Sequence, residues 1–534
     1  MEDTYDFIVV GAGSAGCALA ARLSEDGRHT VLLLEAGGSD RRFMVRMPLG
    51  YGKVFHDPKV NWKYVTEPVP GLNDTPSYWP RGKVLGGSSS INAMVYVRGH
   101  PSDFDDWQVP GWDWASVAPV FRRMENWSGD DPARGQGGPL HVTDTTGMVH
   151  PLCDTYFDAA REIGIDRAED YNGTSMEGAT LYQITTQGGW RASAARAYLR
   201  PAMRRPNLHV LTRAQATRIE IAEGRATGIR YRRRGRPHTA HARREVILSG
   251  GAINSPQLLM LSGIGPGETL QGQGIPVLHH APEVGRNLQD HLGYDHLYRA
   301  TVPTMNQMLG PWHGKLREGL RFLLTRKGPL ALSLNQAGGF VTIEPGAHAP
   351  DLQLYFSPVS YTRAPVGTRP LMNPDPFPGF LLGFNPCRPT SRGHLTLRDG
   401  DPTAPPAIHP NYLDTEYDRR MMIAGTRLIR RLAETQAFGA VIDKRIMPAE
   451  SEGEDDTTDA SLLTHIRNNA WTVFHPCGTC RMGMDAGSVV DERLRVRGMD
   501  GLRVADAAIF PNVPSGNTNA PSIMVGERGA DLVL

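Results

Sequence analysis

The chain has 534 residues, with 57 Lys plus Arg against 56 Asp plus Glu, a formal net charge of +1. A balance this close excludes a global electrostatic pull toward nucleic acid, anionic membrane or other polyanions. The length suggests roughly two to four structural units and allows a large core.

The sequence begins Met1-Glu2-Asp3 and soon reaches the apolar run Phe7-Ile8-Val9-Val10. A secretory signal needs a basic start and a longer apolar run. No stretch of about 18 uninterrupted apolar residues occurs, so no membrane span is expected. Five cysteines are sparse and odd in number, which fits a reduced, cytoplasmic setting. With 59 Gly, 41 Pro and no internal repeat, tight turns and close backbone approaches are expected. Those suit a large ligand wrapped by loops.

Residues 7–10 predict a buried strand. Gly11-Ala12-Gly13-Ser14-Ala15-Gly16 follows, then a helix from Cys17 to Leu23 and a second buried strand from Thr30 to Leu34 that ends in Glu35. This is the βαβ context that a G-x-G-x-x-G pattern needs. Its glycines permit a tight turn, an approach to a pyrophosphate and close helix–strand packing. The helix start offers free N–H groups and a partial positive charge. Glu35 lies where an acid accepts hydrogen bonds from a ribose diol. The pattern implies a dinucleotide without choosing between NAD and FAD.

Arg81-Gly82-Lys83-Val84-Leu85-Gly86-Gly87-Ser88-Ser89-Ser90-Ile91-Asn92 predicts a donor-rich loop able to wrap a long cofactor. Arg232, Arg233, Arg234 and Arg236, broken by Gly235, predict a solvated hairpin tip. The strand Glu245–Leu248 leads into Gly251-Ala252-Ile253-Asn254-Ser255-Pro256-Gln257, read as a turn and a helix with Pro256 near its first turn. Near the C-terminus the strand-like Trp471-Thr472-Val473-Phe474 delivers His475, and Pro476 breaks the strand. Histidine is the first candidate for a base of near-neutral pKa. Cys477-Gly478-Thr479-Cys480 has dithiol or half-zinc spacing. No further ligands at zinc spacing are evident, so no metal is expected. The segment from Ser522 to Leu532 predicts a helix, with Pro521 in its first turn.

These motifs together resemble the glucose–methanol–choline (GMC) oxidoreductases, from Tyr5 to Leu534. The C-terminal segments His475–Gly483 and Asn517-Thr518-Asn519-Ala520-Pro521 are most similar to the choline-dehydrogenase-type bacterial branch. The resemblance implies an α/β (mixed α+β) fold. A Rossmann-like FAD domain would be assembled from 1–150, 205–300 and 465–534, and a substrate domain with an antiparallel sheet and helices from 151–204 and 301–464. It implies that Gly11, Gly13, Ser14, Ala15 and Gly16 hold the pyrophosphate, and Glu35 with Ala36 the adenosine ribose. Arg81, Gly86, Gly87, Ser90, Asn92 and Ala93 would line the pyrophosphate and flavin, and Ala216 the adenine. Asp506, Ala507, Asn517 and Thr518 would meet the cofactor late in the chain. It implies His475 as catalytic base and Asn519 as its partner.

Ile91 stands where some members carry a histidine linked to flavin, so the FAD is expected to be dissociable. Choline-processing relatives carry a glutamate two residues after the histidine of a Gln-Asp-His segment. Here that segment is Gln289-Asp290-His291 and the position is Gly293. A neutral primary alcohol is therefore expected, with Asp295 left as a possible counter-charge for a cation. The acceptor is left open between O2 and a quinone or dye, with Val473 a weak pointer to oxygen. The alternatives from other classes are a flavin-containing lyase (cyanohydrin lyase or fatty acid photodecarboxylase) and a flavin–dithiol reductase through Cys477 and Cys480. Cys387 is expected to be a packed thiol.

Overall fold

β1 (Thr4–Val10) opens the fold of the computed structural model, which describes residues 4–361, 373–449 and 457–534. Met1, Glu2 and Asp3, used in reading the start of the chain, lie outside these. α1 (Ser14–Leu23) then crosses to β2 (Val31–Glu35), which runs parallel to β1 with Phe7 opposite Val31 and Val10 opposite Leu34. The last four residues of β1 and all of β2 are buried. Burial on both faces is why these strands read as unbroken apolar runs. The buried side of α1 is largely Ala and Gly. A Cβ on Gly16 would stand 1.9 Å from the carbonyl oxygen of Gly11, so only glycine lets the helix lie this near the turn.

Seven described strands form this first sheet. The order is Leu208–Thr212, β2, β1, Arg236–Leu248, Arg225–Arg233 and Ala214–Ala222, with Leu502–Val504 also on Arg236–Leu248. The basic run is a hairpin tip, as expected: Arg233 pairs with Arg236 across Arg234 and Gly235, at φ of 51° and 80°. Two positive φ values are what a type I′ turn requires.

α2 (Gly251–Leu261) follows the long strand and begins earlier than the sequence suggested, so Pro256 lies inside it. A proline there leaves the carbonyl four residues back, that of Ala252, without its helical donor. Thr479 Oγ1 donates to that carbonyl at 2.6 Å. The Cys-Gly-Thr-Cys segment thus has a structural task, mending the helix.

The second sheet is antiparallel: Ile442–Met447, β3 (Leu292–Ala300), Gly379–Pro386, Leu352–Ser357, Ala337–Val341 and Gly178–Leu181. Trp471–Thr472 pairs with the first two residues of β3. The boundary expected at residue 300 is corrected by this, because the chain enters the second sheet at Leu292. Segment 465–534 likewise starts on that sheet before returning to the first. α3 (Trp312–Thr325) lies outside the sheet and buries Phe322 among Tyr51, Phe55 and Leu330. α4 (Asn519–Val533) packs on α1, where a Cβ on Gly526 would stand 2.3 Å from the Ala15 carbonyl oxygen. The α/β class with one Rossmann-like and one antiparallel sheet is as expected.

Candidate active site

One long cavity runs from the ends of the first sheet to the face of the second. At the nucleotide end, Gly11 has φ of 104°, and a Cβ there would stand 2.4 Å from the Ser249 carbonyl oxygen. The start of α1 has no side-chain cap, so its first N–H groups are offered to a ligand. Gly11, Gly13, Ser14, Ala15, Glu35, Ala36 and Ala216 line this end. Glu35 is fully buried, and that pushes its carboxyl up to about 7. N–H groups of Gly37 (2.7 Å) and Ala12 (3.0 Å) and the nearby Lys83 favour its ionised form.

In the middle, the Gly86–Asn92 loop is pressed onto the glycine turn. The Gly86 N–H donates to the Ala12 carbonyl at 2.7 Å, and a Cβ on Gly87 would meet Gly13 Cα at 2.7 Å. Gly87, Ile91, Asn92 and Ala93 line the cavity. Gly16, Gly86 and Ser90 stand just behind this wall. Gly16 serves helix packing, and Ser90 Oγ donates to the Leu85 carbonyl at 2.7 Å inside the loop. Arg191, which the sequence reading missed, is buried and donates to Asn92 Oδ1 at 2.7 Å. Asp506 lines the wall, with its carboxylate engaged by Gly251 N–H (2.8 Å), Ser255 Oγ (2.6 Å) and Ala508 N–H (2.7 Å). It holds Ala507 and the start of α2 in place.

His475 stands at the far end, just past the short strand Trp471–Thr472. Phe474 before it has φ of 70°, rare for a non-glycine residue. Two groups hold this bend: Arg81 Nη2 donates to the Phe474 carbonyl at 2.6 Å, and the His475 N–H donates to Asp290 Oδ1 at 2.6 Å. Thr472 and Tyr412 hydroxyls donate to the other Asp290 oxygen. Burial raises Asp290 to about 6 against these bonds and Arg81, and lowers Arg81 to about 10.

The rings near His475 fix its tautomer. His291 Nε2 lies 2.9 Å from the Cys387 carbonyl, which can only accept, so this nitrogen carries a proton. Burial lowers His291 to about 4, so it is neutral and its Nδ1 is an acceptor. That Nδ1 lies 2.9 Å from His475 Nδ1, which must therefore donate. Burial, His291 and Arg81 hold His475 well below an ordinary imidazole. It is neutral, with the lone pair on Nε2 turned to the cavity. This assignment follows from the hydrogen-bond chain.

The neighbour of that lone pair is Asn517, not Asn519. Asn517 Nδ2 lies 3.0 Å from His475 Nε2, and its Oδ1 accepts from Gln353 Nε2 at 3.3 Å, which sets the amide's orientation. Asn519 is the first residue of α4, and its Oδ1 accepts from Ser14 Oγ at 2.8 Å, toward the glycine turn. The expected pairing of Asn519 with His475 is corrected accordingly. The helix begins three residues earlier than expected, and the two asparagines fall on different sides of its start. Thr518 and Asn519 still line the cavity.

The wall facing His475 is rich in rings, including Tyr51, Phe55, Tyr355, Trp471 and Phe474. Asp295 is in this wall, on β3. Gly293, on the same face of the strand two residues earlier, has no room for a side chain: its Cβ would meet Val473 Cγ1 at 2.7 Å. Cys387 is a buried thiol outside the lining, as expected. Cys477 and Cys480 are free, buried and absent from the wall, and burial pushes both thiols up. Among the described residues no His/Cys/Asp/Glu cluster could hold a metal, and no helix is long and apolar enough to cross a membrane.

Family models described as GMC oxidoreductase match residues 5–293 and 389–526. The oxygen-dependent choline dehydrogenase of Rhizobium johnstonii is 43% identical over 99% of this chain and 95% of its own. An uncharacterized GMC-type oxidoreductase of Mycobacterium bovis is 43% identical over 100% of both. Pyridoxine 4-oxidase from Mesorbium loti superposes with a TM-score of 0.87 at 30% identity, covering 98% of each chain. An Aspergillus oryzae formate oxidase variant does so at 0.91 and 26% identity, over 100% of this chain and 98% of that one.

Proposed function

The chain belongs to the GMC oxidoreductase family, FAD-dependent flavoproteins acting on CH–OH donors, and from that premise we propose that it oxidises a primary alcohol to the aldehyde with His475 as base. The cavity suits FAD. Its glycine turn has no room for a Cβ at Gly11 or Gly16, an uncapped helix start faces the pyrophosphate position, and Glu35 closes the adenosine end. Gly11, Gly13, Ser14, Ala15, Gly87, Asn92, Ala216 and Ala507 would hold it, and Ile91 leaves it without a histidyl link in this loop. Bound FAD supplies one piece of chemistry, acceptance of the hydride from the alcohol carbon.

The residues of the chain do the rest. His475 Nε2 takes the hydroxyl proton. Asn517 Nδ2 donates to the same oxygen and turns its O–H toward that nitrogen. His291 keeps the imidazole in the basic tautomer. α4 starts without a side-chain cap and presents its positive end to the cavity, favouring negative charge there. The observation that carries this reading is the chain of hydrogen bonds from the Cys387 carbonyl through His291 to His475. Neither the lyase nor the dithiol alternative has a comparable observation, and the buried thiols stand away from the cavity.

The aromatic wall suits a neutral aryl or aliphatic alcohol. Asp295 favours a second reading, an alcohol bearing a cationic nitrogen, held by that carboxylate and the surrounding rings. The names of the choline dehydrogenase relatives support it. Anaerobic mixing of the purified protein with neutral and amino alcohols, followed by air, tests all of this. Bleaching of the flavin identifies the alcohol, and recolouring by air separates oxygen from a quinone or dye as acceptor. A flavin that no alcohol bleaches overturns the proposal. Selective loss of cationic substrates in Asp295→Asn would establish the second reading, and unchanged selectivity would remove it.

A further inference from the structure

α3 is amphipathic in the wrong sense for a helix of a globular core. Its buried residues are Gly314, Glu318 and Phe322. Its large apolar side chains, Trp312 (76% exposed), Leu316, Leu320, Leu323 and Leu324 (82%), face solvent. At 3.6 residues per turn they cover an arc of about 120°, centred opposite the buried face. No other described helix exposes more than one large apolar side chain. A contiguous patch of this kind marks an interaction surface.

Charge indicates what covers it. The segment from Trp312 to Lys327 carries Lys315, Arg317, Arg321, Arg326 and Lys327 against one acid, Glu318, in a chain whose net charge is +1. Glu318 is buried and pairs with Arg317 and Arg321. Around the helix, Arg317 and Arg321 flank one edge of the apolar arc and Lys315 the other, and Arg326 follows at the C-cap. Arg46 adds a further cation beside it: it and Arg326 both lie 4.7 Å from the ring of Trp190, which packs on Phe322. A second copy of the chain would bring like charges together. Apolar side chains inserted between acyl chains, with long cationic side chains reaching back to headgroups, satisfy both features at once.

We propose that α3 docks the protein on the surface of an anionic lipid bilayer, lying in the interface without crossing it. The inner face of α3 packs through Phe322 against the cluster containing Tyr51 and Phe55, which line the cavity. The docked surface would thus brace the substrate end of the protein. Docking of this kind is independent of the proposed reaction.

The test is flotation of the full-chain, FAD-loaded protein with phosphatidylcholine vesicles, with and without phosphatidylglycerol. Binding should require the anionic lipid and weaken about tenfold or more at high salt. The triple variant Leu316→Gln, Leu320→Gln, Leu324→Gln should lose binding by about tenfold or more, with flavin content and turnover of a water-soluble alcohol unchanged. Lys315→Gln with Lys327→Gln should reduce the preference for anionic lipid. Three results overturn the proposal: no flotation with anionic vesicles, equal flotation of the triple variant, or a concentration-dependent dimer that the triple variant abolishes while vesicles bind neither protein. The last would assign the face to a second copy.

Discussion

Replacing His291 by leucine tests the tautomer argument directly. The imidazole of His291 accepts the Nδ1–H of His475 at 2.9 Å in a fully buried setting. Leucine removes the acceptor and strands a buried donor, which costs about 1–3 kcal/mol. His475 escapes that cost by moving its proton to Nε2, the nitrogen that must be bare to act as base. At 1.4 kcal/mol per tenfold, flavin reduction should slow about 5- to 150-fold. The assay is stopped-flow bleaching of flavin by a saturating alcohol without air, on protein with full flavin content. His291→Gln, whose amide oxygen can accept, should recover part of the rate, a recovery that mere loss of packing would not give. A wild-type reduction rate in His291→Leu would refute the reasoning.

Asn517→Ala should slow flavin reduction with flavin retained. Asn519→Ala should instead weaken flavin retention through Ser14, and the reverse pattern would restore the pairing first expected from the sequence. Gly87→Ala puts a methyl 2.7 Å from Gly13 Cα at a φ of 53° and should yield protein isolated largely without FAD, read from the ratio of flavin to protein absorbance. His291 is depressed from 6.5 to about 4 in the folded chain, so between those values the unfolded chain binds the extra proton. That stability is complete above pH 6.5 and falls by about 3 kcal/mol as the pH drops to 4, measurable as a falling urea midpoint. Acid precipitation should release free FAD, and flavin left in the pellet would contradict the reading of Ile91.

The nucleotide half was legible because its signals are local. An apolar run, a glycine turn and an Ala-rich helix lie within about thirty residues, and their spacing alone implies the βαβ unit. His475 was legible from Pro476 and the strand before it. Features decided by distant contacts were not. Pro256 could stand deep in α2 only because Thr479 replaces a lost backbone donor. Asn517 and Asn519 have the same side chain two positions apart, and only the start of α4 sorts them. The chain passes into the second sheet at β3 without any break in composition. α3 carries apolar residues at helical spacing, which normally face inward, and here they face solvent. Glu318, buried on the opposite side and paired with two arginines, marks the face that turned in.

The contact of Ser14 with Asn519 spans 505 residues. At 5–20 residues per second, on the order of 25–100 s of synthesis separate the two ends of that hydrogen bond. The glycine turn and α1 therefore wait, with their pocket incomplete, until α4 arrives to lean on them. Capture of the cofactor waits on that contact, and a chain cut short before Asn519 should never turn yellow.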